Sequence, residues 1–392
     1  MRTPLVLAAV ALAFALSACD SKNIPAGERS PVFAAPAAPV LVGKPLKVKA
    51  SGSPIKFERV YRADIGSSPD SRAFQWPAIA ANGKIFSLDG VLVASGFDVD
   101  TGLRLWRSKR VGDGDSIWFG DIAYGDGAVF AVDSGGHIAK FSAASGERLK
   151  DAKLPVRLKS GAAFCAGRVF FAGDENELYA IDATTLEPAF THRALSEPFQ
   201  FVNAARPLCE GGKVFAAFSN GELHAIDAKT GKVLWLASVS GTRSFDSFAD
   251  VVARPVAAGK AVVAKSFYGP MRAFDISTGK ELWKRPAGGA AAPLYFDGVL
   301  FDVSGREFCA LSAATGATFY CVGLEGKRIY FSPLMAGGEL LLARDDGYVE
   351  VRSPDDGSLI RKVDVESSIT TDPFIYDALL FLQRKYSISA FR

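Results

Sequence analysis

The sequence is poor in the residues that carry catalysis or bind metals. Three histidines, His137, His192 and His224, stand far apart, without the paired spacing of a helical zinc site. His137 and His224 fall in third strands of repeated units, where a hydrogen-bonded structural role is expected. No serine occupies a G-x-S-x-G elbow. Ser134-Gly135-Gly136 lies between two strand-like runs, as a hairpin turn does, and not between a strand and a helix as a phosphate loop does. The five cysteines show no metal-ligand spacing and no adjacent pair. Lysine and arginine are scattered among acids, the net charge is +3, and no basic run provides an electrostatic footprint for nucleic acid. These absences argue against an enzyme, a metal centre and a nucleic-acid reader, and no cofactor is expected.

Long apolar runs are also missing. The longest, Leu5 to Leu16, follows the basic Arg2 and is too short to span a bilayer comfortably. It ends in Leu16-Ser17-Ala18-Cys19, which resembles the lipobox of bacterial lipoprotein precursors. That resemblance implies a signal peptide over 1–18 and a mature chain beginning at an acylated Cys19. The alternative is an ordinary secretory signal cleaved nearby. Several acyl chains would anchor the protein stably, each buried CH₂ contributing about 0.8 kcal/mol. Residues 19–54 are rich in Pro, Ala, Ser and Gly and read as a lipid anchor followed by a flexible tether. Asp20 directly follows the anchor and resembles an inner-membrane retention signal, so either membrane stays open.

What is plentiful is glycine (38 residues) and apolar residues (49%), a composition of many short strands joined by tight turns. Internal repeats decide the rest. Asp100-Thr101-Gly102-Leu103-Arg104-Leu105-Trp106, Lys229-Thr230-Gly231-Lys232-Val233-Leu234-Trp235 and Ser277-Thr278-Gly279-Lys280-Glu281-Leu282-Trp283 are nearly superimposable. Weaker copies end at Lys150, Phe190, Tyr320 and Arg361, and the spacing of about 37 to 48 residues is that of propeller blades. Whole blades are expected over Trp76–Gly112, Phe119–Arg157, Lys159–Leu195, Asn203–Gly241, Asp250–Gly288, Ala291–Lys327 and Tyr330–Ser367. The tail, Ile369 to Arg392, holds about three strands, and the apolar segment Ile55 to Ala63 completes it. The fold class is therefore all-β: an eight-bladed propeller of four-stranded antiparallel blades over 55–392, the last closed by an N-terminal strand. Trp106, Trp235 and Trp283 are expected to pack between blades, with weaker docking where Lys150 or Arg361 replaces tryptophan.

Exported compartments permit disulfides. Cys309 and Cys321 flank the turn Ala313-Ala314-Thr315-Gly316, which brings them near one another, and their register decides whether they bond. Cys165 and Cys209 take equivalent places in successive repeats, an arrangement that argues against a bond.

The pattern Ala225-Ile226-Asp227…Trp235 and Ala273-Phe274-Asp275…Trp283 resembles the repeat named after pyrroloquinoline quinone (PQQ) enzymes, which also builds cofactor-free propellers. Lipobox, length, eight blades and split final blade together resemble the BamB family of the outer-membrane β-barrel assembly machinery. The resemblance is nearest over Phe245 to Gly288, and from Ser332-Pro333 to Thr371-Asp372-Pro373. It implies a non-catalytic scaffold whose loops Ser196 to Ala205 and Thr242 to Val252 bind the POTRA domains of BamA, at the periplasmic face of the outer membrane. In the second loop Phe245, Asp246, Phe248 and Asp250 match the family's apolar and acidic positions, while Ser247 replaces its arginine. In the first, Phe201-Val202-Asn203 stands where the family has Leu-Arg-Gly, and Arg206 is near but offset. A different protein-binding envelope propeller is the alternative. PQQ dehydrogenases, with an adjacent Cys-Cys pair and an acidic calcium loop, fit less well.

Overall fold

The computed structural model describes residues 46–48, 52–66, 78–112, 120–195, 204–240 and 250–392. The signal segment, Cys19 and most of the tether lie outside the described residues. Thirty-two strands among those described form eight separate four-stranded antiparallel sheets. Seven are consecutive in sequence. The eighth joins Phe374–Tyr376, Leu379–Gln383 and Ser387–Phe391 to Arg59–Asp64, with Tyr61 opposite Ala390 and Asp64 opposite Ser387. The closing strand begins later than the expected Ile55. Ile55 is instead buried in the apolar slab between blades 7 and 8, and its carbonyl accepts from Arg361 Nη2 at 3.0 Å.

There is no single core. Eight apolar clusters lie one at each junction between neighbouring blades. The cause is the two-residue period of a strand buried on both faces. In Lys213–Ala217, Val214 and Ala216 face blade 3, whereas Phe215 and Ala217 face blade 5. Several outer strands carry a single buried aromatic anchor, as in Glu281–Pro286, where Trp283 alone is buried.

The D-x-x-T-G repeat has a mechanical explanation. Asp275 Oδ1 accepts from Thr278 N (2.8 Å) and Thr278 Oγ1 (2.9 Å), closing the turn before the outer strand. Gly279 follows at φ 74°, and a Cβ there would lie 2.6 Å from the indole of Trp235 on the preceding blade. Aspartate, threonine and glycine thus shape a seat, and the neighbour's aromatic ring fills it.

Each ring also anchors its polar tip. The indole nitrogens of Trp106, Trp235 and Trp283 donate to the carbonyls of Ala143, Ile276 and Ala313, each one residue past the turn's capping Asp or Ser. Tyr61 and Tyr320 donate to the same position, at Val99 and Pro354. Junctions without the tryptophan, among them the one expected to be weak at Lys150, are bridged differently. At blade 2, Lys140, the cross-strand partner of Lys150, sends its Nζ to Ala183 O at 2.8 Å. Phe190, which has no donor, is backed by Arg168, whose Nη1 reaches Ala228 O at 2.7 Å with the guanidinium over the phenyl ring. The missing indole is replaced by a cation from the third strand of blade 2 and from the second strand of blade 3.

Candidate functional site

Within a blade of four antiparallel strands, the turns joining second to third strands share one face of the ring with the blade-to-blade connections. Both loops singled out in the sequence belong to that connection face, flanking blade 4. Phe201, Val202, Asn203, Phe245, Asp246 and Phe248 lie outside the described residues. Arg206 and Asp250 lie within them, and both turn inward.

Arg206 precedes the inner strand Leu208–Glu210 and reaches across blade 3 to pair with Asp121 of blade 2. Asp121 is 2% exposed and also accepts from Ala162 N at 2.8 Å. Burial pushes its carboxyl up from the ordinary value, while Arg206 and the N–H groups of Ile122 and Ala162 oppose the shift. The reach is possible because residue 161 is glycine: a Cβ there would lie 2.3 Å from Asp121 Oδ2 and 2.6 Å from Arg206 Nε. Gly161→Ala is accordingly expected to destabilise the protein by about 1–3 kcal/mol, measured by urea unfolding, because the pair cannot move without losing its bond.

Asp250, 1% exposed, is an internal group and offers no surface carboxylate, a correction to its expected place among the contact residues. Its carbonyl accepts from Phe267 N at 2.9 Å, and its charge acts on Lys159. That lysine is 6% exposed, bonds Ser219 Oγ at 3.0 Å, and is lowered by burial to about 8 against the pull of Asp250 and Asp174. Residues that the sequence reading missed hold the root of the first loop. Asn176, at φ 60°, donates to Leu195 O (2.9 Å) and accepts from Ser219 N (3.1 Å), tying blade 3 to blade 4. Its cue was an Asn at a turn, which many loops share.

Near the same end of blades 3 and 4, His192 Nε2 lies 2.7 Å from His224 Nδ1, and His224 Nε2 lies 3.0 Å from Glu222 Oε2. Thirty-two residues separate the two rings, so sequence spacing could not pair them. His137 bonds Asp133 Oδ2 at 2.9 Å. The cysteines form two bonds. Cys309 and Cys321 are directly opposed across a strand pair. Cys165 and Cys209 are bonded as well, contrary to the expectation against it. Both sit on inner strands, which converge toward the axis, and their Cα atoms are 6.1 Å apart, within bridging range. Among the described residues the one cluster with metal-ligand reach is Glu307, Cys309 and Cys321, whose sulfurs are bonded to each other.

The outer edge of blade 4 also stands out. Val233–Ser238 contains no charged residue and exposes Leu234 and Leu236, the latter 60% accessible. The other uncharged outer strand, Thr318–Gly323, belongs to a cluster against which Leu46 and Val48 pack. Charge on an edge discourages strand addition, and blade 4 lacks it.

Residues 89–320 match the model of the family described as outer membrane protein assembly factor BamB. The chain belongs to the BamB family. No curated protein matches it by sequence. Among solved structures, BamB from Moraxella catarrhalis is similar with a TM-score of 0.72 at 16% identity, over 85% of this chain and 100% of that one. The computationally designed Ika8 protein is similar with a TM-score of 0.64 at 17% identity, over 84% and 100%. Quinohemoprotein alcohol dehydrogenase from Comamonas testosteroni gives 0.63 at 11% identity, over 85% and 76%. At such identities these likenesses establish the propeller alone, and BamB membership rests on the family match.

Proposed function

We propose that this protein is a non-catalytic scaffold of the outer-membrane β-barrel assembly machinery, anchored through Cys19 in the periplasm and binding the POTRA domains of BamA. The observation that carries this reading is the construction of blade 4. Two connection-face loops flank it, internal polar bonds hold their roots, and between them runs an uncharged outer strand with exposed leucines. An extended partner edge could add to that strand, main-chain bonds supplying affinity and loop side chains supplying orientation. Phe201, Val202, Asn203, Phe245, Asp246 and Phe248 are the contacting side chains in this scheme, with Arg206 and Asp250 supporting them from behind.

One observation favours a second reading, a propeller lipoprotein serving other envelope partners. The family's interface arginine is absent from the first loop, and Arg206 is engaged inward by Asp121. Binding of the purified BamA periplasmic domain separates the two. Phe245→Ser with Asp246→Arg is expected to weaken that binding by about tenfold or more, a loss of at least about 1.4 kcal/mol, with the melting temperature unchanged. Wild-type protein that fails to bind the domain, yet recovers other envelope proteins from solubilised membranes, would move the second reading to first place.

A further inference from the structure

The eight inner strands stand side by side around the axis, so the residue two positions ahead of each marks the rim of a central channel on the connection face. Going round the rim, blades 4 and 5 place Arg206 and Arg254 there, ahead of Leu208–Glu210 and Val256–Ala258. The flanking blades 3 and 6 place only Gly161 and Ala292, ahead of Ala163–Cys165 and Leu294–Phe296. Two cations thus stand on adjacent blades of the rim, with the Arg206–Asp121 pair filling the space over Gly161.

Among the described residues the acids near this rim already hold partners, although Asp121 Oδ1 has none. Asp121 is taken by Arg206 and Ala162 N, and Asp372 accepts from Ser332 N and Ser332 Oγ, both at 2.9 Å. Arg254 makes no hydrogen bond or ion pair among the described residues. Solvent reaches it, yet burial and the nearby Arg206 hold its pKa below the ordinary arginine value, with Asp372 pulling the other way. Two guanidinium groups of like charge, one of them unpartnered and exposed, thus stand on adjacent blades at the rim. A planar anion there would relieve the repulsion and fill the open donors.

We propose that the channel rim is a binding site for a carboxylate, held by the guanidinium of Arg254 together with the N–H groups of Arg206 that Asp121 leaves unused. A singly charged group is preferred to a phosphate dianion, because Asp121 and Asp372 share the rim and repel a second negative charge. The carboxylate has two possible sources, a free small acid or an acidic side chain of a partner reaching into the channel. The inference goes beyond the assembly reading and does not depend on it.

The test is titration of the ¹⁵N-labelled exported domain, followed through the arginine side-chain Nε–H signals at constant ionic strength. The probes are sodium acetate and a blocked peptide carrying one Glu between glycines. A saturable shift of the Arg254 signal is expected, and Arg254→Gln should weaken binding by about tenfold or more, since it removes a charge-assisted pair. That variant should melt at the same temperature as wild type or higher, because no native partner is lost. Saturation by both probes identifies a free small acid as sufficient, and saturation by the peptide alone points to a partner's side chain. The proposal is overturned if neither probe gives a saturable shift, if the variant binds as wild type does, or if it melts lower, which would make Arg254 a structural group.

Discussion

Asp302→Asn is expected to destabilise the propeller by about 3–5 kcal/mol, enough to consume much of a domain's stability. Lys265, in the second strand of blade 5, is fully buried, and its ammonium is held by Asp302 Oδ1 of blade 6 at 2.7 Å and by Val303 O at 2.9 Å. Asp302 is 2% exposed and also accepts from Ser304 Oγ. Removing the carboxylate charge leaves an ammonium in an apolar junction with no counter-ion. The loss comes from that stranded charge and not from the intrinsic worth of the pair, since desolvation offsets most of the attraction. Replacing both residues, Lys265→Met with Asp302→Leu, should therefore cost far less than Asp302→Asn alone. Urea unfolding of the three proteins decides the point: a double variant at least as unstable as the single one would refute the stranded-charge account.

The second large effect is a loss of stability on mild acidification. Burial lowers His224 to about 4, aided by His192 and opposed by Glu222, and burial lowers His192 as well. The unfolded chain binds a proton near pH 6.5 that the folded chain refuses until about pH 4, so stability rises with pH across that window. The His224 contribution is whole above pH 6.5 and lost as pH falls toward 4, a change of about 3 kcal/mol. Carboxylates act lower. Asp98 and Asp275 are held below their ordinary value chiefly by the hydroxyls of Thr101 and Thr278, so their contribution is present above the unfolded carboxylate pKa and lost beneath it. His224→Gln should flatten the dependence of the urea midpoint between pH 6.5 and 4.5 and leave the steeper loss at lower pH. An unchanged slope would place the acid sensitivity elsewhere. Because the histidine pair lies toward the connection-face end of blades 3 and 4, the same acidification is expected to loosen the face proposed for the partner.

Local chemistry made the architecture legible. An Asp that caps a turn, a Thr that bonds it, a Gly at positive φ and an aromatic ring four residues later are all set by the backbone of one turn, so blades 1, 4 and 5 announce themselves in sequence and set the spacing of the rest. Cys309 and Cys321, twelve residues apart on one hairpin, were brought near one another by their turn, and the strand register then decided that they bond. What crosses between blades left no such trace. Lys140 and Arg168 in place of missing indoles, the Cys165–Cys209 bond, the His192–His224 pair, and Arg206 passing over Gly161 to Asp121 each join residues that ring closure brings together. Chain separation carries no information about such neighbours, because successive blades meet along whole strands and the register of that meeting is set by packing. The repeat and the eight-bladed ring were thus determined by the sequence alone, through turns whose bonds close within a few residues. Which side chains turn inward, as Asp250 and Arg206 do, was decided only when the blades closed on one another and buried one end of each connection.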